Sequence, residues 1–408
     1  MQVNQIKFED LYLIPSRNGV SKPERERGSG IKMINMGELF QYDRIGNIPM
    51  ELVPMSPREL ATMCVEKGDL LFARQSLVLA GAGKVSIVTE VSEKTTFESH
   101  IIRVRLDKNK ADPLFYYFYF KSPYSGIRAI VQQCAQSGIR GNDLKKISVK
   151  YPALDTQQKI SHILSTYDDL IDATRRRIQL LEEAARLLYR EWFVYFRFPG
   201  HEKVKNVDGV PEGWKKTTLG KLSNRIKKSY SINDEDLPLV DLARIQSRTL
   251  AVSDIGAASD LETSRIIFER DDVLFSSIRP YLHKVVLAPF KGITNTSIFV
   301  VRAKKQNYRA YLTLLMFSDY AVQFANQHST GTKMPVVKWD SVSMIPAWIL
   351  PENIMNKFQD IAGPMLEQIQ LSSFINQKLA QARDLLLPRL MSGKIDVSKI
   401  DIKAVQEA

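Results

Sequence analysis

The sequence predicts an α+β fold in which two tandem mixed α/β domains are separated by a pair of long antiparallel coiled-coil helices with pseudo-two-fold symmetry. Three observations lead to this prediction. Apolar residues recur every seven positions over residues 156–192, the pattern returns over residues 357–392, and the segments before each stretch repeat one order of β-like runs. Apolar periodicity of this kind, sustained over about four heptads, is typical of a coiled coil.

The first periodic stretch places two apolar columns on one helical face, because positions three and four apart share a face. The columns are Ile160, Tyr167, Thr174, Leu181 and Leu188, and Leu164, Ile171, Ile178, Ala185 and Trp192. Charged residues outside the columns are expected to face solvent. They include Asp168, Asp169, Arg175, Arg176, Glu182, Glu183 and Arg186.

The second stretch supplies a partner helix of equal length. Residues 357–392 align with residues 159–194 without a gap (357 − 159 = 198), and even the polar Thr174 falls on a serine. The matching column is Phe358, Met365, Ser372, Leu379 and Leu386. A short connection between the first helix and the second domain favours antiparallel pairing, and Pro364 is expected to bend or restart the second helix. The alternative is a plain dimerisation coiled coil.

The globular segments also repeat. VEKGDLLFARQS matches FERDDVLFSSIRP with Phe275 on Phe72, and FESHIIRVRL matches TNTSIFVVRA with Arg302 on Arg105. A polar segment rich in Gly and Pro precedes the second copy, which indicates a boundary. The predicted division is a first domain at 1–152, a central spacer helix at 153–198, a linker at 199–213, a second domain at 214–350, a second spacer helix at 351–393 and a tail at 394–408.

Composition limits the function classes. A net charge of +12 favours a polyanionic partner, of which nucleic acid is the commonest, although a merely basic protein remains an alternative. The longest apolar run, LFYYFYF at 114–120, is far below the roughly 20 residues of a membrane helix, so no membrane contact is expected. The N-terminus lacks signal-peptide order, which predicts a cytoplasmic protein. Cys64 and Cys134 are expected to be reduced core thiols.

Catalytic and cofactor motifs fail on inspection. GAGKVS at 81–86 departs from a phosphate-binding loop, because Val78 and Val85 stand where that motif needs Gly and Ser or Thr. The sequence contains no GxGxxG, and its five histidines are scattered without metal-ligand spacing. The chain is therefore predicted to be no enzyme, with neither a metal nor a cofactor of its own.

Side chains suited to DNA cluster in loops at equivalent places in the two repeats. Arg, Gln and Asn can form bidentate hydrogen bonds with guanine or adenine, whereas Ser and Lys suit phosphates. Each residue alone is typical of a solvated loop, and only the paired placement favours DNA contact. The candidates are Arg74, Gln75, Ser76, Arg140 and Asn142 in the first repeat, and Ser276, Ser277, Arg279, Tyr281, Lys333 and Lys338 in the second.

These features together resemble the specificity subunits of type I restriction–modification systems. The most specific pieces are WFVYFRFPGHEKVKNVDGVPEGWKKTTLGKL at 192–222 and LLLPRLMSGKIDV at 385–397. KGDLLFAR, DDVLFSSIRP and the QQKISHIL…LIDATRRRIQLLE helix agree with the same family, and the duplicated plan covers essentially the whole chain.

The resemblance implies two target recognition domains, each of which recognises one half of a bipartite site on double-stranded DNA. It implies that the helices set the spacing and dock two modification (methyltransferase) subunits, and that restriction (helicase-nuclease) subunits complete a system for phage defence. S-adenosylmethionine, ATP and magnesium are then implied for the partner subunits only. Two other classes stay open at this point: a methyltransferase and a coiled-coil adaptor without DNA affinity.

Overall fold

The computed structural model describes residues 4–132, 137–231, 236–260 and 264–398. Cys134 and residues 399–408 of the predicted tail lie outside these ranges. The chain divides into two compact units. Unit 1 comprises residues 1–168 and 381–408, and unit 2 comprises residues 169–380. Both boundaries fall inside the long helices, so each unit contains one globular domain and a part of each helix.

The domain of unit 1 is a mixed α/β structure. Its strands are β1 (Asn4–Lys7), β2 (Tyr12–Asn18), β3 (Ile31–Ile34), β4 (Arg44–Ile45), β5 (Glu51–Val53), β6 (Leu70–Ala73), β7 (Gln75–Ser76), β8 (Val85–Val88), β9 (Thr95–Phe97), β10 (Ile101–Leu106), β11 (Ser137–Gly138) and β12 (Ser148–Tyr151). Its helices are α1 (Met36–Gln41), α2 (Pro57–Thr62), α3 (Pro113–Lys121) and α4 (Gly141–Leu144). The main sheet has the order β2-β10-β6-β8-β4.

The first long helix, α5 (Leu154–Phe193), is followed by a small hairpin of β13 (Asn206–Val207) and β14 (Val210–Pro211). Asp208 and Gly209 at its tip have positive φ angles, as a tight two-residue hairpin turn requires. The predicted linker is thus ordered. Trp214, which follows the hairpin, packs on the ring of Phe198 with centroids 5.4 Å apart.

The domain of unit 2 repeats the plan. Its strands are β15 (Lys215–Thr218), β16 (Ser223–Ile226), β17 (Arg265–Phe268), β18 (Val273–Ser276), β19 (Val285–Leu287), β20 (Gly292–Asn295), β21 (Ile298–Ala303), β22 (Ser329–Thr330), β23 (Val336–Val337) and β24 (Pro346–Ile349). Its helices are α6 (Leu219–Leu222), α7 (Arg309–Phe317), α8 (Asp319–Gln327) and α9 (Trp339–Ser343), and the second long helix is α10 (Glu352–Ser392). The main sheet has the order β16-β21-β18-β19, equivalent to β2-β10-β6-β8.

The turn before the central strand is the same in both domains. In unit 1, Asp69 accepts a hydrogen bond from the backbone N–H of Glu66 and two from the guanidinium of Arg105, at 2.7 and 2.8 Å. In unit 2, Asp272 accepts from the N–H of Glu269. Its carboxylate also accepts two bonds from the guanidinium of Arg302, at 2.6 and 2.8 Å. A buried carboxylate needs such partners, so this repeated arrangement supports the predicted duplication.

The two long helices run antiparallel within each unit. In unit 2, Arg177 bonds to Gln368 at 2.9 Å, and fifteen residues further along α5 Trp192 packs on Phe358, which precedes Gln368. In unit 1, Asp168 pairs with Arg383, whereas Lys159, earlier in α5, bonds to the later Ser398 carbonyl. α10 continues as a single helix through Pro364, so of the two expectations for this proline, a bend or a restart, the restart is wrong.

The buried face of α5 is wider than the two predicted columns. Ile160, Leu164, Ile171 and Ile178 are buried, but Tyr167, Thr174, Leu181 and Leu188 are only half-buried. In α10, Phe358 and Ser372 are buried, whereas Met365, Leu379 and Leu386 are half-buried. Each helix packs against a globular domain as well as against its partner helix. The centre of the buried face is therefore shifted away from the column that begins at Ile160.

Two charged residues predicted to face solvent are buried for that reason. Asp168 is buried against Arg383 at 2.5 Å. Glu182 is buried and accepts hydrogen bonds from the Thr249 hydroxyl at 2.6 Å and the Leu250 N–H at 2.7 Å. Glu182 therefore attaches a segment of the second domain to α5, which helical periodicity alone does not indicate.

Glu182 makes the stability of unit 2 depend on pH. Burial raises the pKa of this carboxyl above its ordinary value, because removal from water disfavours the charged form. An acid with a raised folded-state pKa contributes stability while it is protonated, and that contribution is lost as the pH rises through the raised pKa. We therefore expect the melting temperature of the native chain, relative to Glu182→Gln, to fall between pH 4 and pH 7. A constant difference between the two melting curves across this range would contradict the assignment.

Two simpler predictions can also be compared with the structure. Cys64 is half-buried and free, so it is less enclosed than a core thiol. Among the described residues, no helix has both the length and the apolar character that crossing a membrane requires.

Candidate nucleic-acid interface

The two predicted loops of unit 1 lie side by side. β7, which consists of Gln75 and Ser76, pairs antiparallel with β11, and the N–H of Ile139 donates to the Arg74 carbonyl at 2.9 Å. Arg140 follows Ile139 directly and is exposed. Residues separated by more than sixty positions in the sequence thus form one surface.

The loops of unit 2 are joined in the same way. The N–H of Val337 donates to the Ser277 carbonyl at 2.9 Å, and the N–H of Arg279 donates to the Pro335 carbonyl at 2.7 Å. β22 and β23 form a hairpin whose connecting residues include Lys333. Lys338 follows β23, as Arg140 follows Ile139 (338 − 140 = 198).

Arg74 and Ser277 are structurally equivalent. The N–H of Arg74 donates to the His100 carbonyl at 2.8 Å, and the N–H of Ser277 donates to the Ser297 carbonyl at 2.9 Å. Their own carbonyls accept the cross-loop bonds from Ile139 and Val337. The pairing of loops therefore belongs to the repeated framework, while the side chains it presents differ between the repeats.

Six of the predicted contact residues are exposed, and the remaining five are not. The exposed set is Arg140, Asn142, Arg279, Tyr281, Lys333 and Lys338. Arg74 and Gln75 are half-buried, and the Arg74 guanidinium donates to the Ser99 carbonyl at 3.4 Å. Ser76, Ser276 and Ser277 are buried.

The three serines are a correction to the prediction. The Ser276 hydroxyl donates to the Ile278 carbonyl at 2.8 Å, and the Ser277 hydroxyl donates to the Ser297 carbonyl at 2.7 Å. The Ser76 hydroxyl accepts from the Val78 N–H at 3.2 Å. These groups stabilise the loop backbone, so the structure does not offer them to phosphate oxygens. Residue type alone does not distinguish a buried hydroxyl from an exposed one.

The exposed cations keep their charge available. Within the described part of the chain, Arg140, Arg279, Lys333 and Lys338 form no ion pair with an acidic side chain. Arg279 has φ 45° and ψ 62°, a left-handed conformation that costs a residue with a side chain roughly 1–2 kcal/mol. Such strain persists where the surroundings impose it and is concentrated at functional sites. Because the four exposed cations form no ion pairs among the described residues, this surface can attract a polyanion without first breaking any.

In the part of the chain that the structure describes, no metal-binding cluster accompanies these loops. Across residues 4–132, 137–231, 236–260 and 264–398, no group of three or more His, Cys, Asp and Glu side chains is placed to hold a metal ion.

The sequence analysis missed a set of exposed apolar side chains beside the cations, at Val78, Leu79 and Leu282. A comparison of the segments that follow β6 and β18 would have shown apolar residues in both.

Comparison with known proteins agrees with this architecture. Residues 9–183 match the family described as the type I restriction modification DNA specificity domain. The chain is 23% identical over 391 residues to the MjaIX type I restriction enzyme specificity subunit of Methanocaldococcus jannaschii, covering 91% of this chain and 88% of that protein. It is 21% identical over 354 residues to the EcoDI type I restriction enzyme specificity subunit of Escherichia coli, covering 77% of this chain and 76% of that one.

A solved structure shares the fold. The S subunit of a type I restriction–modification system from M. genitalium superposes with a TM-score of 0.58 at 15% sequence identity, covering 95% of this chain and 96% of that one. The predicted fold class of two tandem mixed α/β domains with long helices is thereby confirmed.

Proposed function

We propose that this chain is a specificity subunit of a type I restriction–modification system and that it recognises a bipartite DNA site with one half read by each domain. The recognition domains are residues 1–152 and 214–350. The helical segments 153–198 and 351–393 act as the spacer, with residues 199–213 as the connection and residues 394–408 as a tail. We assign no catalytic role to the chain itself, because residues 9–183 match a DNA specificity domain, whose role is recognition.

The observation that carries this proposal is the repeated pair of joined loops. Equivalent backbone bonds join the loops in both domains, and they present Arg140 in one domain and its counterpart Lys338, together with Arg279, in the other. Arg can bond to O6 and N7 of guanine in the major groove, and Asn142 can bond to adenine. A common framework with different side chains suits two half-sites of different sequence, whereas Lys333 and Lys338 suit the phosphates.

The helices support a spacer role. α5 has 40 residues and α10 has 41, and each corresponds to a rod of about 60 Å at 1.5 Å per residue. Their outer faces suit a protein partner, because large apolar side chains are exposed between the charged ones. These are Leu170, Leu180 and Leu187 on α5 and Leu371, Phe374 and Leu385 on α10. We assign these faces to two modification subunits.

The chemistry of the complex then belongs to its partners. Methyl transfer from S-adenosylmethionine is assigned to the modification subunits, and ATP- and magnesium-dependent cleavage to the restriction subunits. Such a complex acts on DNA in the cytoplasm, where it would modify host DNA and restrict phage DNA.

Domain exchange tests the proposal. We expect that replacing residues 1–152 with the matching segment of a relative changes one half of the methylated motif and leaves the other half unaltered. The replacement should keep Lys150, because its ammonium donates to the Met391 carbonyl at 3.0 Å. Cells that produce the chimera with its modification subunits are analysed by methylation-sensitive sequencing of their genomes.

The reciprocal exchange of residues 214–350 is the control, and it should alter only the other half. A change in both halves after either exchange would show that the domains do not act separately. An assembled complex without salt-dependent affinity for DNA would instead favour a coiled-coil adaptor. Methylation of DNA by the purified chain alone would favour an enzyme.

A further inference from the structure

Both domains expose large apolar side chains in the loop that follows the equivalent strands β6 and β18. The exposed fractions are 62% for Val78 and 48% for Leu79 in unit 1, and 51% for Tyr281 and 37% for Leu282 in unit 2. These residues lie between β6 and β8 in unit 1 and between β18 and β19 in unit 2, and Leu77, which precedes Val78, is 87% exposed as well. The equivalent loops of the two domains therefore both expose apolar side chains. We call the two pairs the apolar tips.

The backbone of each tip is held in place. In unit 1 the Arg128 guanidinium donates to the carbonyls of Leu79 and Ala82 at 3.3 Å each, and a 3-10 turn begins at Leu79. In unit 2 a 3-10 turn spans Pro280–Leu282, between Arg279 and His283. His283 is buried and contacts the Phe317 carbonyl at 2.9 Å. The exposure is therefore imposed by fixed structure.

Strain in unit 2 supports this point. Arg279 and His283, which flank the turn, both have left-handed backbone conformations, with φ angles of 45° and 52°. Non-glycine residues rarely adopt this conformation, and they keep it only when their surroundings impose it. The fold thus accepts two unfavourable conformations and an exposed apolar pair within five residues.

The surroundings of the tips indicate what covers them. The Leu79 carbonyl accepts a hydrogen bond from the guanidinium of Arg128, and the unit 1 surface also carries the exposed Arg140. Tyr281 and Leu282 follow the exposed Arg279, and the Arg279 N–H is bonded to the loop that contains Lys333. An apolar contact within a cationic rim suits a polyanion that has apolar surface inside it. Duplex DNA is such a ligand, because its bases lie between two rows of phosphates.

We infer that the apolar tips contact the bases of bound DNA directly, while the neighbouring cations contact the phosphates or guanine. This inference rests on the proposed function and deepens it, since it assigns part of the base recognition to apolar contact. Two forms of the contact are chemically available. An apolar side chain can pack on the C5-methyl group of thymine in the major groove, or it can enter between base pairs and unstack them.

The test compares Leu79→Asn and Leu282→Asn in the complex assembled with its modification subunits. Asparagine is polar and of similar size, and exposed substitutions change stability little. The binding probe is a duplex that carries the motif methylated in cells. We expect the affinity for this duplex to fall about tenfold or more, because burial of a leucine side chain is lost. Affinity for an unrelated duplex should stay the same, and so should the slope of log affinity against log salt.

Two matched variants separate apolar contact from charge and from general damage. Leu13→Asn changes a leucine that is more exposed than either tip leucine (58% exposed) and lies near Glu66 and Lys67, at the opposite end of β6 from the tip, and it should leave binding unaltered. Arg279→Gln should lower affinity and reduce the salt slope, by about one if the guanidinium contacts a phosphate. Replacing thymine by uracil in the motif, or placing 2-aminopurine beside it, distinguishes methyl contact from unstacking.

The outcomes divide as follows. Unchanged affinity in both asparagine variants, with weakened binding in Arg279→Gln, would overturn the inference and leave the proposed function standing. The inference would also be overturned if the asparagine variants lost their modification subunits, because the tips would then contact protein. Failure of the native complex to bind its motif would count against the proposed function itself.

Discussion

A heptad inserted into both long helices is expected to lengthen the gap between the two half-sites by about three base pairs. Seven helical residues add about 10 Å, and one base pair occupies about 3.4 Å along the duplex. The methylated motif should keep both half-sites and change only in the number of unspecified bases between them. Because three base pairs also rotate the half-sites by roughly a third of a turn, we expect weaker binding together with the new spacing.

The unit boundaries show where the insertion belongs. They fall between Asp168 and Asp169 in α5 and between Ala380 and Gln381 in α10. Copies of residues 169–175 and 374–380 placed at these two points preserve the apolar period and the contacts inside each unit. Deletions in the same region would remove Gln377 or Ser373, which both donate to the Val252 carbonyl and attach the second domain to α10.

Methylation mapping of cells that produce the lengthened chain measures the outcome. Insertion of seven residues into the tip of the β13–β14 hairpin, at Asp208 and Gly209, provides a control of equal length outside the spacer, and it should leave the motif as it was. An unchanged gap after the double insertion would exclude the helices as the element that sets the distance.

Much of the fold could be predicted from the sequence because both the fold and the sequence are duplicated. The 198-residue offset identified the partner helix, and the structure buries equivalent positions at that offset, for example Ile160 with Phe358 and Leu164 with Ala362. The Asp69–Arg105 and Asp272–Arg302 pairs follow from the alignment of the domains in the same way. A duplicated sequence shows each element twice, and a pattern that arises by chance in one copy rarely appears at the equivalent place in the other.

The parts that sequence missed depend on contacts between distant segments. Glu182 is buried because Thr249 and Leu250 lie over it, and helical periodicity does not include that contact. Ser276 and Ser277 resemble surface serines in a polar loop, yet their hydroxyls bond to the carbonyls of Ile278 and Ser297 inside the fold. The DNA contacts assigned to Arg140 and Arg279 stay predictions.

Breaking the ion pair between Asp168 and Arg383 is expected to have the largest effect on stability. The Asp168 side chain is 7% exposed and that of Arg383 is 19% exposed, so removal of either partner leaves a poorly solvated charge. Losses of this kind cost about 3–5 kcal/mol. Arg383→Ala should therefore lower the melting temperature of unit 1 by roughly 10 °C, as measured by calorimetry. Asp168→Leu should have a smaller effect, because Arg383 also contacts the exposed Asp384 at 2.9 Å.

The chain contains its own matched control. At the 198-residue offset Asp168 corresponds to Leu366, and Ala185 corresponds to Arg383, so unit 2 has an apolar pair where unit 1 has charges. The double variant Asp168→Leu with Arg383→Ala copies that pair into unit 1 and should recover most of the lost stability, since apolar replacements of buried ion pairs are often neutral. A double variant as unstable as the worse single variant would mean that the site cannot pack an apolar pair.

The same ion pair favours one pairing of the helices over the others. If two copies of α5 paired antiparallel in the register seen here, Asp168 would lie against Ala185 and would lose its partner. If two copies of α10 paired, Arg383 would lie against Leu366. Only pairing of α5 with α10 places the two charges together, so the ion pair favours association of unlike helices. We therefore expect the double variant to retain its fold and to form dimers of whole chains more readily than the native protein, as measured by light scattering.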